Sequence, residues 1–352
     1  MNEYIGCDMH KNYSVFVSMN EAGQAQPAVR VDHHDRQAFR QYLESLPQGT
    51  PIAVETTGSW YWLVDELEGA GLRPELTNAK IAKHLMGCRN KTDKLDAKGL
   101  ATLLRNGTLP TVWIATAEVR DLRELTRTRM ALSGMRTKLK NRILADFAKY
   151  GIGLEGYSDL FGQGGRRLLG RSLEALPEHT RQAVEDQLIV LDAVCERIGA
   201  IEPRLAELIE ETPMLALLRT LPGVGKILAT VIGLEIGTIE RFASAERLCS
   251  YSGVVPTVRS SGGRTRFGRT AADVNRYLKW AFVEAANLVV GNRERWNYPS
   301  LRQLYERVCR RKNHPVATMA VARQLAESAF WVLRKEQPYR EPSLVRGSSS
   351  PR

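Results

Sequence analysis

Three apolar runs of strand length, at 4–8, 13–19 and 26–31, open the chain, and only Met9-His10-Lys11-Asn12 separates the first two. An amphipathic segment follows from Asp35 to Leu46, with Phe39, Tyr42, Leu43 and Leu46 on one face. The spacing then predicts a strand at 51–55, a helix from about Trp60 to Gly69, a short strand at 72–76 and a helical stretch from about Asn78 to Arg105. No other feature of the chain restricts its fold as much as this order, because three strands followed by alternating helices and strands must share one covered sheet.

Acids close two of these runs. Asp8 ends Tyr4-Ile5-Gly6-Cys7-Asp8, and Glu55 ends Pro51-Ile52-Ala53-Val54-Glu55. Asp93 and Asp96 stand three residues apart in the helical stretch and so share a face. Like charges at that distance repel, and a cation between them gives a reason for the placement. Strand-end acids with a paired helical acid make a hard-oxygen cage suited to Mg²⁺, and two such ions can flank a phosphodiester. Each acid also has a plainer reading: a turn former after a strand, a helix cap at Asp93, or a solvated helix face. Chemistry rests on the four as a set. Acids at the tips of the first and fourth strands fit a ribonuclease-H-like α/β domain, which is an analogy of fold and not of function.

With 352 residues, 43% hydrophobic and 25% charged, the chain is expected to form two or three soluble domains. No apolar stretch reaches bilayer length, and Met1-Asn2-Glu3-Tyr4 lacks the basic-then-apolar start of a signal peptide. The scattered cysteines Cys7, Cys88, Cys195, Cys249 and Cys309 form no Cys-x-x-Cys pair. They read as buried thiols of a reducing cytoplasm, without a zinc site. The net charge of +11 is concentrated: thirteen Lys/Arg stand against four Asp/Glu between Pro256 and Lys312. A surplus this localised points to a polyanion. The interleaved Tyr277, Trp280, Trp296 and Tyr305 favour nucleic acid over membrane.

The first domain spans 1–115. In a helical middle region, 116–212, Leu125, Leu132 and Leu139 recur every seven residues, and Leu188, Leu191, Cys195, Ile198, Ile201, Leu205 and Leu208 follow spacings of three and four. Both are coiled-coil-like seams. They imply an antiparallel hairpin that packs on itself or also pairs with a second chain. A glycine-rich, loop-like insertion lies between them at 151–180. A mainly α domain at 213–340 begins with Leu221-Pro222-Gly223-Val224-Gly225-Lys226, which has the form of a helix-hairpin-helix turn. There Gly223 and Gly225 allow close backbone approach, and the amides beyond them can hold a phosphate. Downstream, Ser260, Ser261, Gly262 and Gly263 sit among Arg259, Arg264, Arg266 and Arg269, with Arg276 and Lys279 following. This segment is either a flexible phosphate-binding loop or a carrier of a serine nucleophile. Residues 341–352 read as a disordered tail.

These residues carry a family resemblance. The chain resembles the DEDD transposases of bacterial insertion sequences, a group that includes Piv-type DNA invertases and bridge-RNA-guided recombinases. The resemblance covers nearly the whole chain. Its marks are Ile5-Gly6-Cys7-Asp8-Met9-His10-Lys11, Val54-Glu55-Thr56-Thr57-Gly58, Asn90-Lys91-Thr92-Asp93-Lys94-Leu95-Asp96-Ala97, Leu221-Pro222-Gly223-Val224-Gly225, Glu235-Ile236-Gly237 with Arg241-Phe242, and the stretch from Tyr251 to Gly262. Departures are Thr238, where an Asp is common, Ala271-Ala272-Asp273-Val274, where a Lys and a Gly are usual, and Cys7, where an aliphatic residue is usual.

The resemblance implies a RuvC-like domain whose metal-binding tetrad is Asp8, Glu55, Asp93 and Asp96, holding two Mg²⁺ with Mn²⁺ as a possible substitute. It implies that Ser261, before Gly262, is the catalytic serine that links covalently to DNA, with Ser260 as its neighbouring competitor. It also implies a coiled coil used in dimer or tetramer formation, double-stranded donor and target DNA, a structured guide RNA, and a bacterial cytoplasmic, nucleoid-associated location. Two other readings remain open: a structure-selective metal-dependent nuclease that uses water, and a non-enzymatic nucleic-acid-binding protein.

Overall fold

The computed structural model describes residues 3–87, 92–208, 212–271 and 273–342, and divides into two compact units at Ala117/Glu118. In the first unit, strands β1 (Glu3–Met9), β2 (Tyr13–Asn20), β3 (Val29–Asp32), β4 (Pro51–Glu55) and β5 (Arg73–Thr77) form one sheet in the order β3-β2-β1-β4-β5. The first three strands are antiparallel neighbours, while β1, β4 and β5 run parallel. The parallel pairs need crossovers. Helices α1 (Arg36–Glu44) and α2 (Trp60–Gly69) supply them, and α3 (Ala79–Met86) and α4 (Asp93–Arg105) follow the last strand.

Side-chain alternation along β1 determines what each face meets. Ile5, Cys7 and Met9 enter the core with Phe16, Phe39, Leu43, Val54 and Leu63. Gly6 and Asp8 take the opposite face, where Val15, Val17 and Ala97 cluster. Cys7 fills its aliphatic position as a fully buried thiol, and burial pushes its pKa up. The expected helix from Asn78 to Arg105 is two helices. Gly87 ends α3 in the left-handed conformation (φ 62°), and Thr92 starts α4 by accepting the Leu95 amide on its hydroxyl at 3.3 Å. The motif residues Asn90 and Lys91 lie outside the described residues.

In the second unit, α5 (Ala117–Lys149) and α7 (Glu178–Leu208) form an antiparallel pair. Arg129 is paired with Glu202, Asp146 accepts from Gln187 at 3.2 Å, and Tyr150 meets Thr180 at 3.0 Å. Ile143, Phe147, Val184 and Leu191 form its buried seam, with Leu139 and Leu188 at the edge. Cys195, expected in that seam, is exposed; the buried positions Val184, Leu191, Ile198 and Leu205 recur every seven residues and leave it off the stripe. The Leu208 side chain lies outside the described residues. The insertion is partly helical, since α6 (Gln163–Ser172) starts at its glycines. A Cβ at Gly165 would meet the Leu160 backbone at 2.4 Å.

The rest is helical around one core, with α13 (His314–Lys335) packed against α8 (Pro213–Leu218), α10 (Ala245–Tyr251), α11 (Arg276–Gly291) and α12 (Pro299–Arg311), and α9 (Lys226–Ile236) against α11. The exception is a two-stranded ribbon, β6 (Pro256–Ser261) and β7 (Arg264–Thr270). The serine–arginine segment, for which a flexible phosphate-binding loop is one of two readings, is therefore a β-hairpin. Gly262 and Gly263, at φ 56° and 73°, form its two-residue turn. Residues 343–352, the expected tail, lie outside the described residues.

Candidate metal centre and nucleic-acid interface

Gly6 brings α4 onto the sheet. A Cβ there would meet the Ala97 carbonyl oxygen at 1.9 Å and the Ala101 amide at 2.6 Å, so only glycine permits this contact. Asp8 lies two residues on, on the same face, and the first turn of α4 carries Asp93 and Asp96 beside it. Because Thr92 caps the helix, Asp93 is not needed as a cap.

The structure joins Asp8 to Asp93 through His10. The His10 Nε2 lies 3.1 Å from Asp8 Oδ2 and 3.3 Å from Asp93 Oδ2, and one ligand atom from each of the three residues falls within 4.8 Å of the others. Tyr13 donates its hydroxyl to Asp93 Oδ2 at 3.0 Å, stacks on His10 at 4.6 Å, and carries the Arg30 guanidinium over its ring at 3.7 Å. Burial pushes the Asp8 carboxyl up, and the charges of Asp96 and Asp93 add to that while His10 opposes it. The Tyr13 hydrogen bond holds Asp93 below the usual carboxylate range. Asp96 acts on Asp8 through its charge but stands outside the three-residue cluster. Glu55 also stands outside it, at the end of the strand parallel to β1 in the register Cys7↔Val54.

Two carboxylates suit a hard divalent cation, and the imidazole at the same point is a softer donor that tolerates Mn²⁺ and heavier ions better than Mg²⁺. His10 and Tyr13 were not predicted as site residues. Their signal was present, since the residues that join and open two antiparallel strands sit beside the acid near the end of the first.

In the second unit, the turn expected to bind phosphate has mixed uses. Gly223 (φ 76°) is required internally: a Cβ would meet the Ala285 carbonyl oxygen at 2.4 Å. Gly225 opens onto free space and caps α9, whose first residue Lys226 is exposed. A groove beside it is lined by Arg219, Arg295, Trp296 and Tyr298. Of the aromatics read as nucleic-acid contacts, Tyr277, Trp280 and Tyr305 pack on the core instead, and Trp296 remains exposed.

Strand pairing separates the two serines. Val258 pairs with Phe267, Arg259 with Arg266, Ser260 with Thr265 and Ser261 with Arg264. Alternation therefore puts Ser261 on one face with Arg259, Arg264 and Arg266, and Ser260 on the other with Val258 and Phe267. Ser260 meets the Thr265 hydroxyl at 3.5 Å. None of the ribbon's four arginines pairs with an acid among the described residues, whereas Arg302 is held by Glu294 and Glu306. Arg276 is exposed at the start of α11, and Lys279 donates to Thr270 at 2.6 Å.

Within α9, Glu235 is fully buried. It accepts from Arg127 at 2.8 and 3.2 Å and from Asn275 at 2.8 Å, with Arg123 at 3.7 Å. Nothing in the sequence marked Glu235 as a structural node beyond its place in a motif.

A mixed α/β unit with clustered acids precedes a helical unit that carries a cationic ribbon, as the sequence led one to expect. Comparison with known families agrees. Residues 5–150 match a transposase family model of the IS110 DEDD type, and residues 215–306 match the transposase IS116/IS110/IS902 family. The chain belongs to the IS110 family of DEDD transposases, and that membership indicates DNA transposase activity and dependence on a divalent metal. It is similar to a probable family 20 transposase of Pseudomonas aeruginosa, 23% identical over 87% of this chain and 90% of that protein. It is also similar to a transposase for insertion sequence element IS1111A of Coxiella burnetii, 22% identical over 96% and 91%. An insertion element IS110 protein of Streptomyces coelicolor is 34% identical over 41% of this chain and 35% of its own length. No helix among the described residues is long and apolar enough to cross a membrane.

Proposed function

We propose that the chain cuts and rejoins DNA at the ends of its own insertion element by phosphoryl transfer, with Ser261 as nucleophile and the acids at the β1–α4 junction holding Mg²⁺. The observation that carries this reading is the meeting of Asp8 and Asp93 at 3.1 and 3.3 Å around one atom of His10. Two carboxylates held this close repel, and a divalent cation bound beside the imidazole would offset that repulsion. Asp96 and Glu55, at the adjacent helix turn and strand end, complete the set. The sheet order β3-β2-β1-β4-β5 supports a RuvC-like, ribonuclease-H-like domain.

Ser261 Oγ attacks phosphorus and forms a serine–phosphodiester bond while a deoxyribose oxygen leaves and takes a proton. A hydroxyl of a second strand then attacks the same phosphorus, releases the serine and joins the strands, so the number of phosphodiester bonds is unchanged. Arg259, Arg264 and Arg266, on the Ser261 face, would bind the phosphate and offset the charge that develops on its oxygens. Mg²⁺ held by Asp8, Glu55, Asp93 and Asp96 would neutralise negative charge that develops during the transfer. The ribbon has no histidine to take the serine proton. As the family resemblance implies, the acids that serve Ser261 would come from another chain, and the α5–α7 hairpin would act as a coiled coil in that assembly. A structured RNA of the element would guide donor and target choice, sharing the cationic surface with DNA.

The deciding experiment is trapping on flanking DNA. A protein–DNA adduct that survives denaturation is expected for the unaltered protein and for Ser260→Ala, and none for Ser261→Ala with binding retained. An adduct from Ser261→Ala would assign the nucleophile to another residue, and cleavage with no adduct from any form would favour a nuclease that uses water.

A further inference from the structure

The ribbon face opposite Ser261 is apolar where it should be polar. Val258 and Phe267 sit directly across from each other on it, 57% and 72% exposed, and no large apolar side chain among the described residues is more exposed than Phe267. The two strands pair only with each other, and only Pro256 and Thr270, at the base, are partly covered. An aromatic ring held in water on an isolated strand pair is unfavourable unless something covers it.

The charge around it identifies the partner. Residues 256–270 contain four arginines and no acid. None of the four is paired with an acid among the described residues, so the arm as a whole is drawn to a polyanion. Two side chains are too small a patch for a stable protein interface, which buries about 800 Å² per partner. A nucleobase is the flat apolar surface that accompanies phosphate. The Gly262–Gly263 turn adds no side chains at the tip, and a two-stranded ribbon is the size of element that a DNA major groove admits.

We propose that Phe267, backed by Val258, is a wedge that stacks into duplex DNA and unstacks one base step beside the phosphodiester held on the arginine face. Inserted apolar side chains open base steps in this way when flanking cations hold the backbone. The wedge takes its location from the Ser261 reading, but its stacking is independent of catalysis.

The test uses the full chain and duplex DNA from the flanks of its gene, with 2-aminopurine placed at successive positions and its fluorescence read on binding. The Ser261→Ala form, which on the proposed mechanism forms no adduct, is expected to raise the fluorescence at one position. Adding Phe267→Ala is expected to abolish that rise and weaken binding roughly tenfold, the size of one lost base–aromatic stack, with the salt dependence unchanged. Phe267→Trp is expected to keep both. Equal fluorescence and affinity with and without Phe267 would overturn the wedge and leave the serine mechanism standing. So would a Phe267→Ala effect confined to RNA affinity, to vesicle binding or to oligomer mass. An adduct formed by Ser261→Ala alongside a Phe267-dependent signal would overturn the serine mechanism and leave the wedge.

Discussion

Gly6 and Ala97 are in backbone contact: a Cβ on Gly6 would overlap the Ala97 carbonyl oxygen, 1.9 Å away. This contact holds the N-terminal turn of α4 over the end of β1 and sets the distance between Asp8 and Asp93. Gly6→Ala is expected to destabilise the chain by about 1–3 kcal/mol, because neither backbone can yield without moving helix from sheet. Calorimetry should also show weakened Mn²⁺ and Mg²⁺ binding. Stability and metal affinity close to those of the unaltered protein would mean that α4 is not positioned by this contact.

Tyr13→Phe removes the hydrogen bond that chiefly holds the Asp93 carboxyl down. The sign follows directly. With its pKa raised, Asp93 takes up a proton at a higher pH, and protons compete with cations for its oxygens. The acid limit of Mn²⁺ binding is expected to move to higher pH in the variant, with affinity at neutral pH little changed. Calorimetric titrations across acidic pH would show this, and an unmoved acid limit would remove Tyr13 from the site.

Glu235 is buried with two arginines and an asparagine. Removing one partner of such a cluster leaves uncompensated charge, so Glu235→Ala is expected to cost about 3–5 kcal/mol in denaturant unfolding. Asn275 both donates to Glu235 and caps α11, and Asn275→Ala should lose about 1 kcal/mol or more from the cap alone. A mild effect of Glu235→Ala would show that water reaches the cluster.

His33 is buried against Ser14, Phe39 and Trp62, and burial lowers its pKa. The unfolded chain gains that proton as pH falls through about 6.5, while the folded chain resists it. Stability should therefore decline below that pH until the folded imidazole also titrates. His33→Asn should flatten this part of the profile, and identical profiles for the two proteins would count against a neutral buried imidazole.

Nucleic-acid affinity should fall steeply with salt. If about five of Arg259, Arg264, Arg266, Arg269, Arg276 and Lys279 touch duplex phosphates, they contribute a log–log slope of roughly −4 to −5. Replacing Arg264 and Arg266 by Ala should flatten the slope by nearly two units. A slope near zero would make the ribbon a solvated surface.

Strand and helix order in the first unit was legible in the sequence because period-2 and period-3.6 patterns are local. So were the acid next to the end of β1, the acid that ends β4 and the pair on α4. The break between α3 and α4 was missed although Gly87 and Thr92 were its stop and start signals. Heptad spacing marked α7, but the stripe that includes Val184 excludes Cys195, and only packing against α5 could decide between two interleaved apolar series.

Residue types by themselves determined that this chain would carry clustered acids in an α/β unit and a cationic serine segment after it. The tertiary structure decided three further matters. His10 lies between Asp8 and Asp93 because a hairpin turn folds it back over the strand end. Gly223 serves the α11 contact, since a carbonyl from sixty residues away occupies the space a side chain would need. Ser260 and Ser261 face opposite ways because pairing with β7 converts one residue of sequence into a change of face. Composition cannot specify a face: that depends on which backbone a strand pairs with, and the partner strand is set by the fold.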